Sequence, residues 1–282
     1  MKSRLSPFVL SMLIFGFAFL YLPIFSMIVY SFNASRMVTV WDSVHSPTLA
    51  WYVELFGNDE ILEAAQLSFR IAAVSATGAV ILATLAAFAL VRYRRFRWRG
   101  LFGVLTTAPM VLPEVITGLS LLLLFVALEQ WTGWPPGRGA ATITIAHVTF
   151  CMAYAIVVIQ ARLATVDRSL EEAAMDLGAR PWKVFMVITL PLILPAIASA
   201  WMLSFILSWD DIVITSFVSG PGSTTLPQLV FSKVRLGVSP DINALATILV
   251  GLVSVCVAVA GAVMMRTERR RLRDAQIATG AH

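Results

Sequence analysis

Long apolar runs separated by short, arginine-rich connections organise this chain. Pro7–Tyr30, Ile71–Val91, Val184–Trp209 and Ile242–Met265 contain no Asp, Glu, Lys or Arg. Leu101–Leu128 contains one such residue, Glu114, and Ala140–Ala161 contains none but includes His147. Each run reaches the roughly 20 residues that a helix needs to cross a hydrocarbon core with its backbone polar groups satisfied internally. The pattern predicts an all-α polytopic membrane protein with six transmembrane helices. The first run exceeds the roughly 7–15 apolar residues of a secretory leader, so it reads as a retained anchor. A seventh uncharged stretch, Ile212–Ser232, is broken by Gly220-Pro221-Gly222 and by Pro227. It predicts a re-entrant or loop segment lining a path buried in protein.

Composition and charge sharpen this picture. Hydrophobic residues make up 59% of the 282 and charged residues 13%, against about 25% charged in soluble domains. Cys151 and Cys256 lie in separate apolar runs, so they read as small core residues and not as a disulfide framework. With six spans, sixteen of the 21 Lys and Arg residues fall on one side. They are Lys2, Arg4, the Arg92–Arg99 cluster, Arg162, Arg168, Arg180, Lys183 and the tail arginines from Arg266 to Arg273. The positive-inside rule puts that side, and both termini, in the cytoplasm. The basic clusters lack the accompanying aromatic or RNA-motif pattern, which argues against nucleic-acid binding. The opposite side holds more acids than bases, a tilt that favours a cationic solute and that the same rule also produces.

The connection 162–190 differs from the others. Asp167 or Ser169 can cap a short helix running through Leu177, Gly178 can end it in the left-handed conformation, and Pro181 suits the first turn of a second helix. The result is an elbow projecting into the cytoplasm. Glu172 would be an exposed acid on it, able to pair with a partner's arginine, and Ala173 and Ala174 would allow close approach. A plain helix terminator accounts equally for Gly178 alone. The chain contains no Walker A loop, no His-Glu-x-x-His and no Gly-x-Ser-x-Gly, so catalytic and metal-binding residues are not expected, and the chain does not read as an enzyme.

Candidates for a solute path come from polar groups at membrane depth. Glu114 follows Pro113 within the third run, where a kinked helix beside an acid suits a gate; pairing with the Arg92–Arg99 cluster is the alternative. Trp201, Phe205 and Trp209 recur every four residues on one helical face, and Asp210 and Asp211 follow them. Aromatic faces with carboxylates suit the ammonium groups of a diamine or polyamine. An interfacial belt with a capping function for the acids is the competing reading. His147 reads as a hydrogen-bonded core residue. Ala72 and Ala76, and Ala79, Ala83 and Ala87, form small-residue rows suited to close helix packing within the bundle or against another subunit.

The order Glu172-Ala173-Ala174, Gly178 and Ile188-Thr-Leu-Pro191 resembles the EAA signature of permease subunits of bacterial ABC importers. Glu171–Ala179, Phe217–Pro227 and Asn243–Thr247 resemble polyamine permeases within that family, and Trp134-Pro135 with Ala146–Cys151 resemble its putrescine-type members. The resemblance implies the type I ABC importer permease fold and a translocation path for a polyamine, putrescine foremost, across the bacterial inner membrane. Spermidine or a cationic amino acid is the alternative solute, and an ion-coupled secondary transporter the alternative class. It implies residues 1–66 as an N-terminal end, first helix and periplasmic loop, 67–265 as a five-helix core, and 266–282 as a basic cytoplasmic tail. It also implies ATPase-coupling roles for Glu172, Ala173, Ala174 and Gly178. The expected partners are a second, different permease, two copies of an ATPase that binds the ATP and Mg, a periplasmic polyamine-binding protein and membrane lipid. The chain itself is expected to hold no cofactor.

Overall fold

The computed structural model describes residues 6–37, 40–93, 97–237 and 240–278. Readings that fall on Lys2, Arg4, Arg94, Arg95, the side chains of Cys256 and of the tail beyond Arg266, and residues 279–282 lie outside it. The described residues are helical: α1 (Pro7–Tyr30), α2 (Ala50–Phe56), α3 (Asp59–Arg92), α4 (Arg99–Val111), α5 (Glu114–Thr132), α6 (Ala140–Thr165), α7 (Ser169–Asp176), α8 (Pro181–Val184), α9 (Leu190–Trp209), α10 (Val213–Val218), α11 (Leu226–Leu236) and α12 (Pro240–Ala278). α8 runs through one π turn, Phe185–Thr189, into α9, giving a helix from Pro181 to Trp209. Among the described residues, five helices are long and apolar enough to cross a membrane, and Pro240–Val255 is a shorter apolar stretch of α12.

The helix ends follow local rules. Ser6 accepts a hydrogen bond from the Val9 amide at 3.3 Å, and Pro7 takes the first position of α1, where its missing N–H costs nothing. The run expected as one span, Leu101–Leu128, is in fact two helices. Pro109 and Pro113 remove two amide donors, and Leu112 turns to an extended conformation at ψ 140° between α4 and α5. The expected kink is therefore a full break. The 212–232 stretch contains two short helices, α10 and the start of α11, and no spanning one.

The chain divides into two compact units, Met1–Asp59 with Ser232–His282, and Glu60–Phe231. In the first, α12 packs against α1 and α2. Buried Asn33 ties together described residues that follow α1. The Asn33 side chain donates to the Val40 carbonyl at 2.7 Å and accepts from the Asp42 amide at 2.9 Å, and its carbonyl accepts from Trp51 Nε1 at 2.6 Å.

The second unit has an apolar core built around α3, α6 and α9. Ala72, Ala76, Ala79, Ala83 and Ala87 are all fully buried, so the small-residue rows of α3 serve packing inside the unit. Near the arginine-rich connections Ala83, Ala87 and Leu90 meet Ile156, Ile159, Leu163 and Ile193. At the other end Ile71 and Ala79 meet Ile143, Phe150, Phe125, Ile214 and Val218. Gly78 faces Val148, where a Cβ would sit 3.0 Å from a methyl carbon. Polar side chains tie the helices as well. Ser75 donates to the Thr144 carbonyl at 3.2 Å, and Thr142 to the Val218 carbonyl at 2.7 Å. α10 fills the space beside α5 and α6.

Candidate functional site

Two groups of side chains stand out in the second unit, at opposite ends of α9, whose 20 residues span about 30 Å.

The first group is the α7–α8 elbow. Asp167 accepts from the Ser169 amide at 2.9 Å and opens α7; that hydrogen bond holds its exposed carboxyl below the ordinary carboxylate range. α7 ends at Asp176, and Gly178 reverses the chain at φ +86°, a conformation that costs glycine no Cβ clash. Pro181 then starts α8. Glu172 and Ala173 are exposed, Ala174 is partly exposed, and Leu177 is 90% exposed. Glu172 lies 3.7 Å from Arg168, a solvent-facing contact worth little by itself. The elbow residues singled out from the sequence thus all lie wholly or partly on its exposed surface.

The sequence reading missed what holds that surface. Glu171, one residue before Glu172, is buried. Successive residues lie about 100° apart on a helix, so one acid of the pair turns outward and the other inward. Glu171 Oε1 accepts from Arg92 Nη2 at 2.8 Å, from Arg92 Nε at 3.1 Å and from Thr189 Oγ at 2.8 Å. Arg92 is the last residue of α3, and Thr189 closes the π turn. The doubled acid was the only available signal, and it does not say which partner lies across 79 residues of chain.

The second group lies where α9 ends. Trp201, Phe205 and Trp209 stack in series, with centroid separations of 5.4 and 5.9 Å. Phe69 of α3 meets Phe205 and Trp209 edge-on at 5.6 and 6.3 Å, and Trp201 donates to Thr77 at 3.1 Å. The two acids that follow have different environments. Asp210 is exposed, yet nearby protein pushes its carboxyl above the ordinary carboxylate range, mainly by desolvation. Asp211 is buried and engaged. It accepts from Thr215 N at 2.8 Å, Thr215 Oγ at 2.7 Å and Ile214 N at 3.2 Å, and it lies 3.2 Å from His147 Nε2. Burial pushes its carboxyl up, but His147 and the Thr215 bonds outweigh that, and the net shift is downward. His147 also reaches Ser208 at 2.7 Å, as befits the core residue expected from its apolar surroundings. Asp211 therefore caps α10 and anchors α6, α9 and α10, which leaves Asp210 as the acid presented beside the aromatic face.

Glu114 belongs to neither group. It is the exposed first residue of α5, where a negative side chain suits the helix N-terminus, and no hydrogen bond or ion pair among the described residues reaches its carboxylate. Of the described members of the Arg92–Arg99 cluster, Arg92 pairs with Glu171, and Arg99 donates to the Leu90 carbonyl. Among the described residues, no group of three His, Cys, Asp or Glu side chains converges where it could hold a metal ion.

Comparison with known proteins places these features in a lineage. Residues 79–273 match the family model described as binding-protein-dependent transport system inner membrane component. The putrescine transport system permease protein PotI of Escherichia coli strain K12 is 57% identical over 271 residues, covering 96% of this chain and 95% of that protein. The spermidine/putrescine transport system permease protein PotC of the same strain is 42% identical over 237 residues, covering 84% and 86%. A solved bacterial ABC transporter involved in import of the polysaccharide alginate superposes with a TM-score of 0.69 at 18% identity, over 91% of this chain and 95% of the matched one. The latter likeness speaks for the fold alone: an all-α membrane-protein fold shared with a chain of that ABC transporter. The chain is thus a transport component and not an enzyme, and it belongs to the family of binding-protein-dependent inner-membrane transport components.

Proposed function

We infer that this protein is one of two different membrane subunits of an ATP-driven importer and that putrescine is its solute. The observation that carries this reading is the near end-to-end 57% identity to a putrescine permease. The geometry supports it from both ends of α9. On the basic side, the elbow presents Glu172, Ala173, Ala174 and Gly178 to a separate ATPase, which supplies the bound ATP and Mg; two copies would serve the two permeases. At the other end, Asp210 and the aromatic row Trp201, Phe205 and Trp209 offer an ammonium ion a carboxylate and ring faces. Asp211 serves the path by fixing α10 beside it, and Glu114 at the α4–α5 break is a second solute-facing acid. Residues 67–265 form the translocating core, 1–66 precede it and 266–282 are a cytoplasmic tail. Both termini face the cytoplasm, and a periplasmic polyamine-binding protein delivers the solute.

The mechanism is alternating access. ATP binding draws the two ATPases together, the elbows follow, and the path between the permeases opens outward to the loaded binding protein. Hydrolysis restores the inward-facing state. The deciding experiment reconstitutes the complex with its ATPase in vesicles and measures uptake of radiolabelled putrescine with and without ATP. Uptake that requires ATP and yields to unlabelled putrescine before spermidine or arginine is expected. Uptake driven by an imposed proton gradient without ATP would instead favour an ion-coupled secondary transporter, and preferential competition by arginine would move the solute to a cationic amino acid.

A further inference from the structure

We propose that Arg92, Glu171 and Thr189 form a transmission strut: positioning residues that convert displacement of the elbow into displacement of α3 and α9. This rests on the reading of the elbow as the ATPase contact. α7 is two turns long and joined to its neighbours by short connections, one of which turns at left-handed Gly178. A cleft of about 250 Å³ lies beside it, lined by Phe88, Arg92, Glu171, Met175, Phe185 and Thr189 among others. Apolar packing there is incomplete, so an unbraced α7 could rock into the cleft and lose its motion. The polar strut crosses that gap. A single carboxylate oxygen gathers two guanidinium donors from the end of α3 and one hydroxyl from the start of α9. Arg92 Nη2 also reaches the Val166 carbonyl at 3.4 Å, at the end of α6, and Arg168 Nη2 reaches the Arg92 carbonyl at 3.4 Å. Both side chains of the ion pair are only 9% exposed, which spares it the screening that weakens surface pairs.

The π turn completes the geometry. Leu190 N bonds Phe185 O, five residues back, and Pro191 follows with no amide to offer. The widened turn places Thr189 against Glu171 and gives the start of α9 a discrete irregularity where force arrives. The strut and Glu172 thus divide the work on adjacent residues of one helix: Glu172 faces outward to be gripped, and Glu171 faces inward to pass the displacement on.

The experiment uses the whole importer in vesicles and reads three quantities: ATPase retained in the complex, ATP hydrolysed, and putrescine taken up per ATP. Glu171→Gln removes the charge and keeps the shape; Thr189→Val removes one hydroxyl at nearly constant size. With ATPase retention unchanged, uptake per ATP is expected to fall roughly fivefold or more in Glu171→Gln and by a smaller factor in Thr189→Val. Glu172→Gln should instead reduce ATPase retention. Native uptake per ATP in assembled Glu171→Gln complexes would overturn the strut. Failure of both variants to assemble would also overturn it, by making these residues a folding requirement. If the native complex shows no ATP-dependent uptake, the elbow reading fails first, and that result is distinct from either.

Discussion

Single residues carry the two operations assigned to this permease, and each can be tested by a small change. At Gly178 nothing lies within 4 Å of an added Cβ, yet φ is +86°, so Gly178→Ala isolates backbone strain of about 1–2 kcal/mol. Equilibrium occupancy of the native elbow should fall by roughly 5–30-fold. Co-purification of the ATPase should drop accordingly, and Gly178→Asn should lose less because asparagine tolerates this region better. Asp210 offers a pH-dependent contrast. Its folded carboxyl binds its proton more tightly than an ordinary one. The contribution of this group to stability is therefore greatest in acid and declines as pH rises from the ordinary carboxylate range through the raised folded value. At neutral pH its charge works against the fold. Asp210→Asn should leave thermal stability equal or slightly higher at pH 7 while lowering putrescine uptake by roughly tenfold or more, the loss of a charge-assisted bond. A melting curve and an uptake assay on the same preparation check both halves. Asp211, with its net downward shift, has the opposite dependence: its contribution is present above the unfolded value and lost as pH falls through the folded one.

Elements are placed by contacts that residue patterns announce unevenly. Gly118 on α5 packs directly on α10: an added Cβ would stand 2.7 Å from Phe217 Cδ2 and 3.2 Å from the Ile214 Cα. The Phe217 ring can move, but the Ile214 backbone cannot without shifting α10. Gly118→Ala should therefore cost about 1–3 kcal/mol by overpacking, seen as a lower midpoint of thermal unfolding in detergent, with Gly100→Ala, where an added Cβ on α4 meets nothing within 4 Å, as the control. Most of this architecture was legible beforehand, because apolar run length and small-residue spacing are local properties. The α3 alanines, the left-handed Gly178, the Pro181 start and the lack of a span in 212–232 all follow from residues within a few positions. The α4–α5 break was visible only as a kink, since the prolines mark where the helix yields but not how far. The separate fates of Asp210 and Asp211 were not legible, because Asp211 is engaged not only by nearby Thr215 but by His147, which the fold brings from 64 residues away. The Arg92–Glu171–Thr189 junction was hidden for the same reason: its members lie far apart in sequence, and buried charge pairs have no period.

At the scale of the whole molecule, orientation is what makes the elbow useful, and it rests on charge asymmetry. In the six-span reading of the sequence, sixteen of 21 basic residues are expected on the side that carries α7 and α8. Transferring that side across the membrane against its potential would oppose about 2.3 kcal/mol per charge per 100 mV. Two positions report the outcome directly. Leu177 at the elbow is 90% exposed, and Trp131 at the opposite end of α5 is 84% exposed. Cysteines placed at each, with Cys256→Ser and with Cys151 left in its buried site, should react with a membrane-impermeant maleimide from opposite sides. Trp131→Cys should label in intact spheroplasts. Leu177→Cys should label only in inverted vesicles, and bound ATPase should protect it if the elbow is the docking surface. Labelling of Leu177→Cys in intact spheroplasts would place the elbow outside, away from any cytoplasmic ATPase, and the coupling scheme would fall with it. Labelling from inside without protection would keep the topology but move the ATPase contact to another surface.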